Sequence, residues 1–215
     1  MEELNYLKIK KELPINVNLL AVSKGFNSNN INKLFKLGQY DFGESKFQEA
    51  FDKRVSLKSI KSLKWHFIGR IQNNKIRKIV QNFDYIHSVD SYKKLLKISN
   101  IAEELGKVQK VMIQVKFAED PGKGGIIIDQ LMQEWNDIKV LKNIRINGLM
   151  TINPKGLSSK DNLELFKDCR SLADSLDLKD CSMGMSEDWR EAVEAGSTWI
   201  RIGSLIFGDR KSMSN

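Results

Sequence analysis

Val17–Lys24, VNLLAVSK, is an unbroken apolar run that ends on a lysine and leads into the turn-forming stretch Gly25–Asn30, GFNSNN. A strand of a parallel sheet is buried on both faces, so it reads as a continuous apolar run and not as an alternation. A helical pattern at 28–37 follows at once, which makes the first unit strand, turn, helix. The same unit recurs along the chain. Strand candidates stand at 17–24, 40–44, 64–69, 84–89, 110–117, 146–152, 180–184 and 198–203. Helical patterns stand between them at 28–37, 46–60, 73–82, 91–105, 127–139, 160–176 and 186–195. In the last of these, Ser186 is the expected N-cap and Gly196 the stop. Eight strands alternating with helices predict a single (β/α)8 TIM-type barrel, an α/β fold spanning residues 1–215. Little chain remains after the eighth strand, so residues 1–12 are expected to form an N-terminal helix in place of a full eighth helix. A doubly wound open sheet would usually carry GxGxxG in its first turn, and GFNSNN is not that motif.

Composition removes several function classes. No apolar run of 18 residues occurs, and the N-terminus MEELNYLKIKKELP is charged, so neither a membrane span nor a signal peptide is expected. Cys169 and Cys181 form no CxxC pair, which predicts reduced thiols in a cytoplasmic protein. His66 and His87 are too few for a His-rich metal site and fall inside strands, where packed, hydrogen-bonded histidines are expected. The net charge of +8 raises nucleic-acid binding. The lysines, however, are spread along helical segments without aromatic interleaving, so a solvated basic surface is favoured over nucleic acid. The same charge favours a phosphorylated small molecule. Gly122–Gly125, GKGG, lacks the P-loop spacing and reads as the loop after the fifth strand.

Chemistry in a barrel collects at the C-terminal ends of the strands. The first such end carries Lys24. Burying a lysine is costly without a role, and desolvation lowers an amine's pKa toward what Schiff-base chemistry needs. The seventh and eighth ends carry Ser182, Gly184, Ser186, Gly203 and Ser204, the small and hydroxyl residues of a phosphate cradle. Arg201 lies within the eighth strand, where a guanidinium needs a partner. A Schiff-base lysine, a phosphate site and a residue facing the pyridine nitrogen are what pyridoxal 5'-phosphate (PLP) requires. Arginine only donates, so it would keep that nitrogen unprotonated and the ring a weak electron sink.

The motifs LLAVSK (19–24), DFGE (41–44), WHFIGRIQNNKIRK (65–78), IHSVDS (86–91), INGLMTI (146–152) and SMGMSEDWREAVEAGSTWIRIGSLIFG (182–208) resemble the YggS/PROSC family of PLP homeostasis proteins. The resemblance covers nearly the whole chain in order. It implies a barrel similar to the alanine racemase N-terminal domain, with Lys24 as the Schiff-base lysine and Arg201 beside the pyridine nitrogen. It further implies Ser182, Gly203 and Ser204 around the phosphate and Met183 lining the pocket. Three positions depart from the family pattern. Ser45 stands where asparagine usually contacts the ring side of PLP, Gly25 follows the lysine in place of threonine, and Ser204 stands where threonine is frequent. The implied function is a PLP carrier in intracellular PLP homeostasis and amino-acid balance without robust catalysis. Its expected partners are PLP and apo PLP-dependent enzymes, with neither nucleic acid nor membrane, and a monomer is expected. The competing functions are a weak PLP-dependent racemase or lyase, using one of Tyr6, Tyr40, Tyr85 and Tyr92, and a basic barrel binding a phosphorylated metabolite or RNA without PLP.

Overall fold

A computed structural model of the chain describes residues 1–120 and 122–208. Helix α1 (Glu2–Glu12) carries Glu2 and Glu3 in its first turn and Lys10 and Lys11 in its last, charges that suit the helix dipole. Strand β1 (Asn18–Val22) follows, then α2 (Ser28–Lys36). Asn27 caps α2 by accepting from the N–H groups of Asn29 and Asn30, while the Asn30 side chain accepts from the Asn27 N–H. The alternation continues through β2 (Asp41–Glu44), α3 (Phe47–Ser56), β3 (Lys64–Phe67), α4 (Ile76–Asn82), β4 (Tyr85–Val89) and α5 (Tyr92–Glu104). Next come β5 (Gln109–Lys116), β6 (Ile126–Ile127), α6 (Ile128–Ile138), β7 (Ile144–Met150) and α7 (Ser159–Ser175). The described chain closes with β8 (Asp180–Ser182), α8 (Trp189–Glu194), β9 (Trp199–Ile202) and the single turn α9 (Ser204–Phe207).

Every strand pairing is parallel. The order β4-β3-β2-β1-β9-β8-β7-β5 is closed by pairing of β4 with β5, which makes an eight-stranded barrel. The two-residue β6 is an addition on the outer end of β5, aligned Val115 to Ile126. Successive strand residues point to opposite faces. Leu19 and Ala21 therefore join the layer between barrel and helices with Ile31 and Leu34. Leu20 joins Met112, Met150 and Trp199 in a separate apolar cluster. Helix α1 buries Tyr6 and Ile9 and packs against α2 and α9. It thus covers the barrel where α9 supplies only one turn.

Three expectations at the element ends are corrected. The first strand stops at Val22, so Lys24 lies in the following turn and not in the strand. The helix expected at 186–195 runs only from Trp189 to Glu194, and its N-cap residue is Asp188 rather than Ser186. The Ser186 hydroxyl instead accepts from the Leu205 N–H at 3.3 Å. The strand β6 occupies residues that the periodicity assigns to a loop and a helix start.

Candidate active site at the barrel mouth

Arg201 is a buried cation at the C-terminal end of the barrel. Its backbone aligns with Leu20 of β1, and its side chain is only 4% exposed. Nη1 donates to the Ser182 carbonyl at 2.6 Å and to Ser182 Oγ at 2.9 Å; Nη2 donates to the Thr151 carbonyl at 2.8 Å. All three acceptors are neutral, and among the described residues no carboxylate pairs with this guanidinium. Burial pulls its pKa down to about 10, against the more distant Asp188 and Cys169, so it stays a cation at neutral pH. A buried cation with only neutral partners, on the wall of a cavity, is arranged to receive an acceptor from outside the chain.

That cavity has a volume of about 760 Å³ and opens among the C-terminal ends of β1, β7, β8 and β9. Lys24, Ser186, Arg201, Gly203 and Ser204 all line it. Gly203 approaches β1 so closely that a Cβ there would meet the Val22 carbonyl oxygen at 3.3 Å. Asp188 also lines the cavity, and burial raises its pKa although the Met185 N–H donates to Oδ1 at 2.6 Å.

Lys24 is half-buried, and a network of charges that the sequence reading missed holds the residues on either side of it. The Lys53 ammonium donates to the Ser23 carbonyl at 2.8 Å, to Glu44 Oε1 at 2.7 Å and to Glu49 Oε1 at 2.7 Å. Ser23 Oγ donates to Glu44 Oε1 at 2.6 Å, and the Gly25 N–H donates to Glu49 Oε1 at 2.5 Å. The turn Ser23–Lys24–Gly25 is thus fastened at both shoulders. Gly25 has φ +81°, the left-handed region that favours glycine, which accounts for its presence here. Phe26 stacks on Phe207 of α9 with ring centroids 4.8 Å apart, so the same turn is tied to the last strand's helix.

The two acids respond differently to their shared lysine. Glu44 is fully buried, and desolvation raises its pKa despite the bonds from Lys53 and Ser23. Glu49 is partly exposed; burial raises it, but the bonds from Lys53 and Gly25 together outweigh that and leave it lowered.

The other expected site residues separate. Ser182 is fully buried beneath the cavity and acts on it through Arg201. Met183 is also fully buried, packed in the layer between barrel and helices, and is not among the described residues lining the cavity. Ser45 follows β2 half-buried and likewise falls outside the described lining. Both histidines are buried and hydrogen-bonded, as expected. Both cysteines are buried without a bridge. Among the described residues no cluster could hold a metal ion, and no helix is long and apolar enough to cross a membrane.

The profile of the alanine racemase N-terminal domain matches residues 3–211. A pyridoxal phosphate homeostasis protein of Synechocystis is 43% identical over 211 residues, covering 95% of this chain and 97% of its own. Its Escherichia coli counterpart is 31% identical over 207 residues, covering 92% of this chain and 87% of its own. The solved structure of PipY from Synechococcus elongatus with PLP bound superposes at TM-score 0.94 with 38% identity, covering 97% of this chain and all of that one. An alanine racemase of Clostridium difficile shares the fold at TM-score 0.79 and 17% identity, with this chain spanning 57% of its length. Fold, motif order and these likenesses agree: the chain belongs to the alanine racemase N-terminal domain family and, within it, to the YggS/PROSC family of pyridoxal phosphate homeostasis proteins.

Proposed function

We propose that this chain binds PLP at the barrel mouth, holds it reversibly on Lys24, and serves cytoplasmic PLP homeostasis as a monomer that delivers PLP to apo-enzymes. One observation carries the reading: Lys24, Arg201, Gly203 and Ser204 line a single cavity. When bound, PLP supplies an aldehyde that captures a primary amine as a Schiff base. The residues present fit that group. Arg201 offers a buried donor that, among the described residues, is hydrogen-bonded to no carboxylate. Its role is to orient the ring by donating to the pyridine nitrogen, leaving that nitrogen without a proton of its own. Gly203 and Ser204 lend close backbone approach and a hydroxyl to the phosphate, at the edge beside Val22. The Lys53 network keeps the Lys24 turn in place, with the half-buried lysine lining the cavity. Ser182 holds Arg201 from below.

Carriage is favoured over racemisation because no tyrosine is among the described cavity residues. Tyr6 is buried on the inner face of α1, and Tyr85 opens β4 at the opposite end of the barrel. The test is transfer. PLP-loaded protein is expected to reactivate an apo PLP-dependent enzyme faster than PLP dissociates into a trap, and equal rates would overturn delivery. Incubation with L-alanine in deuterated water is expected to give no exchange at Cα; rapid exchange would favour a racemase.

A further inference from the structure

A line of hydrogen bonds crosses the inside of the barrel from one end to the other. Asp41 opens β2 at the N-terminal end, and its side chain is 32% exposed. Its Oδ1 lies 3.0 Å from His66 Nε2. His66 Nδ1 lies 2.9 Å from His87 Nε2, and His87 Nδ1 lies 2.9 Å from Ser182 Oγ. Ser182 Oγ in turn accepts from Arg201 Nη1 at 2.9 Å. His66, His87 and Ser182 are fully buried. Tyr85 stacks on His66 at a centroid distance of 5.1 Å and an interplanar angle of 5°, and Trp199 packs against both histidines. Enclosed in this way, each polar group must find its partner within the line.

The Asp41 end fixes its direction. A carboxylate can only accept, a neutral imidazole donates once and accepts once, and a serine hydroxyl donates once and can accept twice. His66 therefore carries its proton on Nε2 and donates to Asp41. Its bare Nδ1 accepts from His87, which carries its proton on Nε2. The bare His87 Nδ1 then accepts the Ser182 hydroxyl hydrogen, while Ser182 Oγ accepts from Arg201. Burial, with the Arg201 cation adding to it, pushes the His87 pKa well below its ordinary value, which agrees with a neutral ring. Turning either ring alone sets two donors or two acceptors face to face.

We propose that Asp41 is the terminal acceptor of a one-way line, Arg201 to Ser182 to His87 to His66 to Asp41, and that it acts through this line as a positioning residue for Arg201 and hence for the ring nitrogen of bound PLP. The positioning role rests on the proposed function; the direction of the line does not. A carboxylate at the far end of the barrel thereby reaches the cofactor site without touching it.

Nitrogen-15 NMR of the imidazoles in the PLP-free wild-type protein reads the direction. Both rings are expected to be neutral Nε2–H tautomers near neutral pH. An Nδ1–H tautomer or a charged ring at either position would overturn the line, whatever PLP does. Asp41→Ala removes the terminal acceptor and Asp41→Asn keeps one in its amide oxygen. In Asp41→Ala the His66 Nε2–H signature is expected to be lost, PLP affinity to fall about tenfold, and the visible band of the bound cofactor to shift; the tenfold loss corresponds to about 1.4 kcal/mol. Asp41→Asn is expected to restore the tautomers, the band and most of the affinity. Wild-type affinity and band in Asp41→Ala would overturn the positioning role. Failure of the wild type itself to load PLP would instead remove the proposed function, and the positioning role with it, while the tautomers still report the line.

Discussion

Replacing Lys53 by methionine is expected to cost about 3–5 kcal/mol of folding stability at neutral pH, because it leaves a buried carboxylate without its cation. Glu44 is fully buried, and its Oε1 receives Lys53 and Ser23. Even with Lys53 present, burial holds its pKa above the ordinary value of 4.5. The folded chain then binds that proton more tightly than the unfolded chain, so on this group's account stability falls as pH rises from the ordinary carboxylate range through the folded pKa. Removing Lys53 lifts the folded pKa further and widens that window. The deficit of Lys53→Met relative to wild type is therefore expected to shrink as pH falls toward 4.5. Urea unfolding of both proteins at neutral and mildly acidic pH measures it. A loss under about 1 kcal/mol, the scale of an exposed ion pair, would show that the network contributes little. Because the same ammonium binds the Ser23 carbonyl, PLP loading is expected to weaken as well.

Arg201→Met is expected to lower PLP affinity by about 10- to 100-fold, the scale of one hydrogen bond to a charged donor. Attachment to Lys24 is expected to persist, since the two residues meet the cofactor at different atoms. Folding stability is expected to change less than affinity does. The substitution leaves the Ser182 and Thr151 carbonyls without their donor, but it also removes a buried charge that, among the described residues, is hydrogen-bonded to no carboxylate. Absorbance titration with PLP, beside urea unfolding, separates the two effects. Unchanged affinity would remove Arg201 from the site.

These two residues mark what could and could not be read in the sequence. Arg201 stood out because an arginine between Trp199 and Gly203 breaks an apolar strand and demands an explanation. The repeated strand and helix patterns carried the barrel for the same reason: burial imposes a period that composition records. Lys53 left no such mark. In FQEAFDKRVS it reads as one more solvent-facing helical lysine, and only the fold shows that it turns inward beneath Lys24. Its spacing of four from Glu49 was the available signal, and that spacing is common on exposed helices. The apolar run places Lys24 at the buried end of a strand, whereas the strand stops at Val22 and the lysine is half-buried in a turn. The resemblance places Met183 at the pocket wall, whereas it packs in the layer between barrel and helices, just past the end of β8. Asp41 and the two histidines form a line only after β2, β3, β4 and β8 are brought together around one barrel, which no local pattern encodes.

The most direct test of the central claim is borohydride reduction of the PLP-loaded protein, followed by peptide mass mapping. Reduction is expected to fix a pyridoxyl group on the peptide containing Lys24, and on no peptide of Lys24→Ala. A label on Lys155, which lines the same cavity, or no label at all, would contradict the assignment of Lys24 as the residue that holds the cofactor.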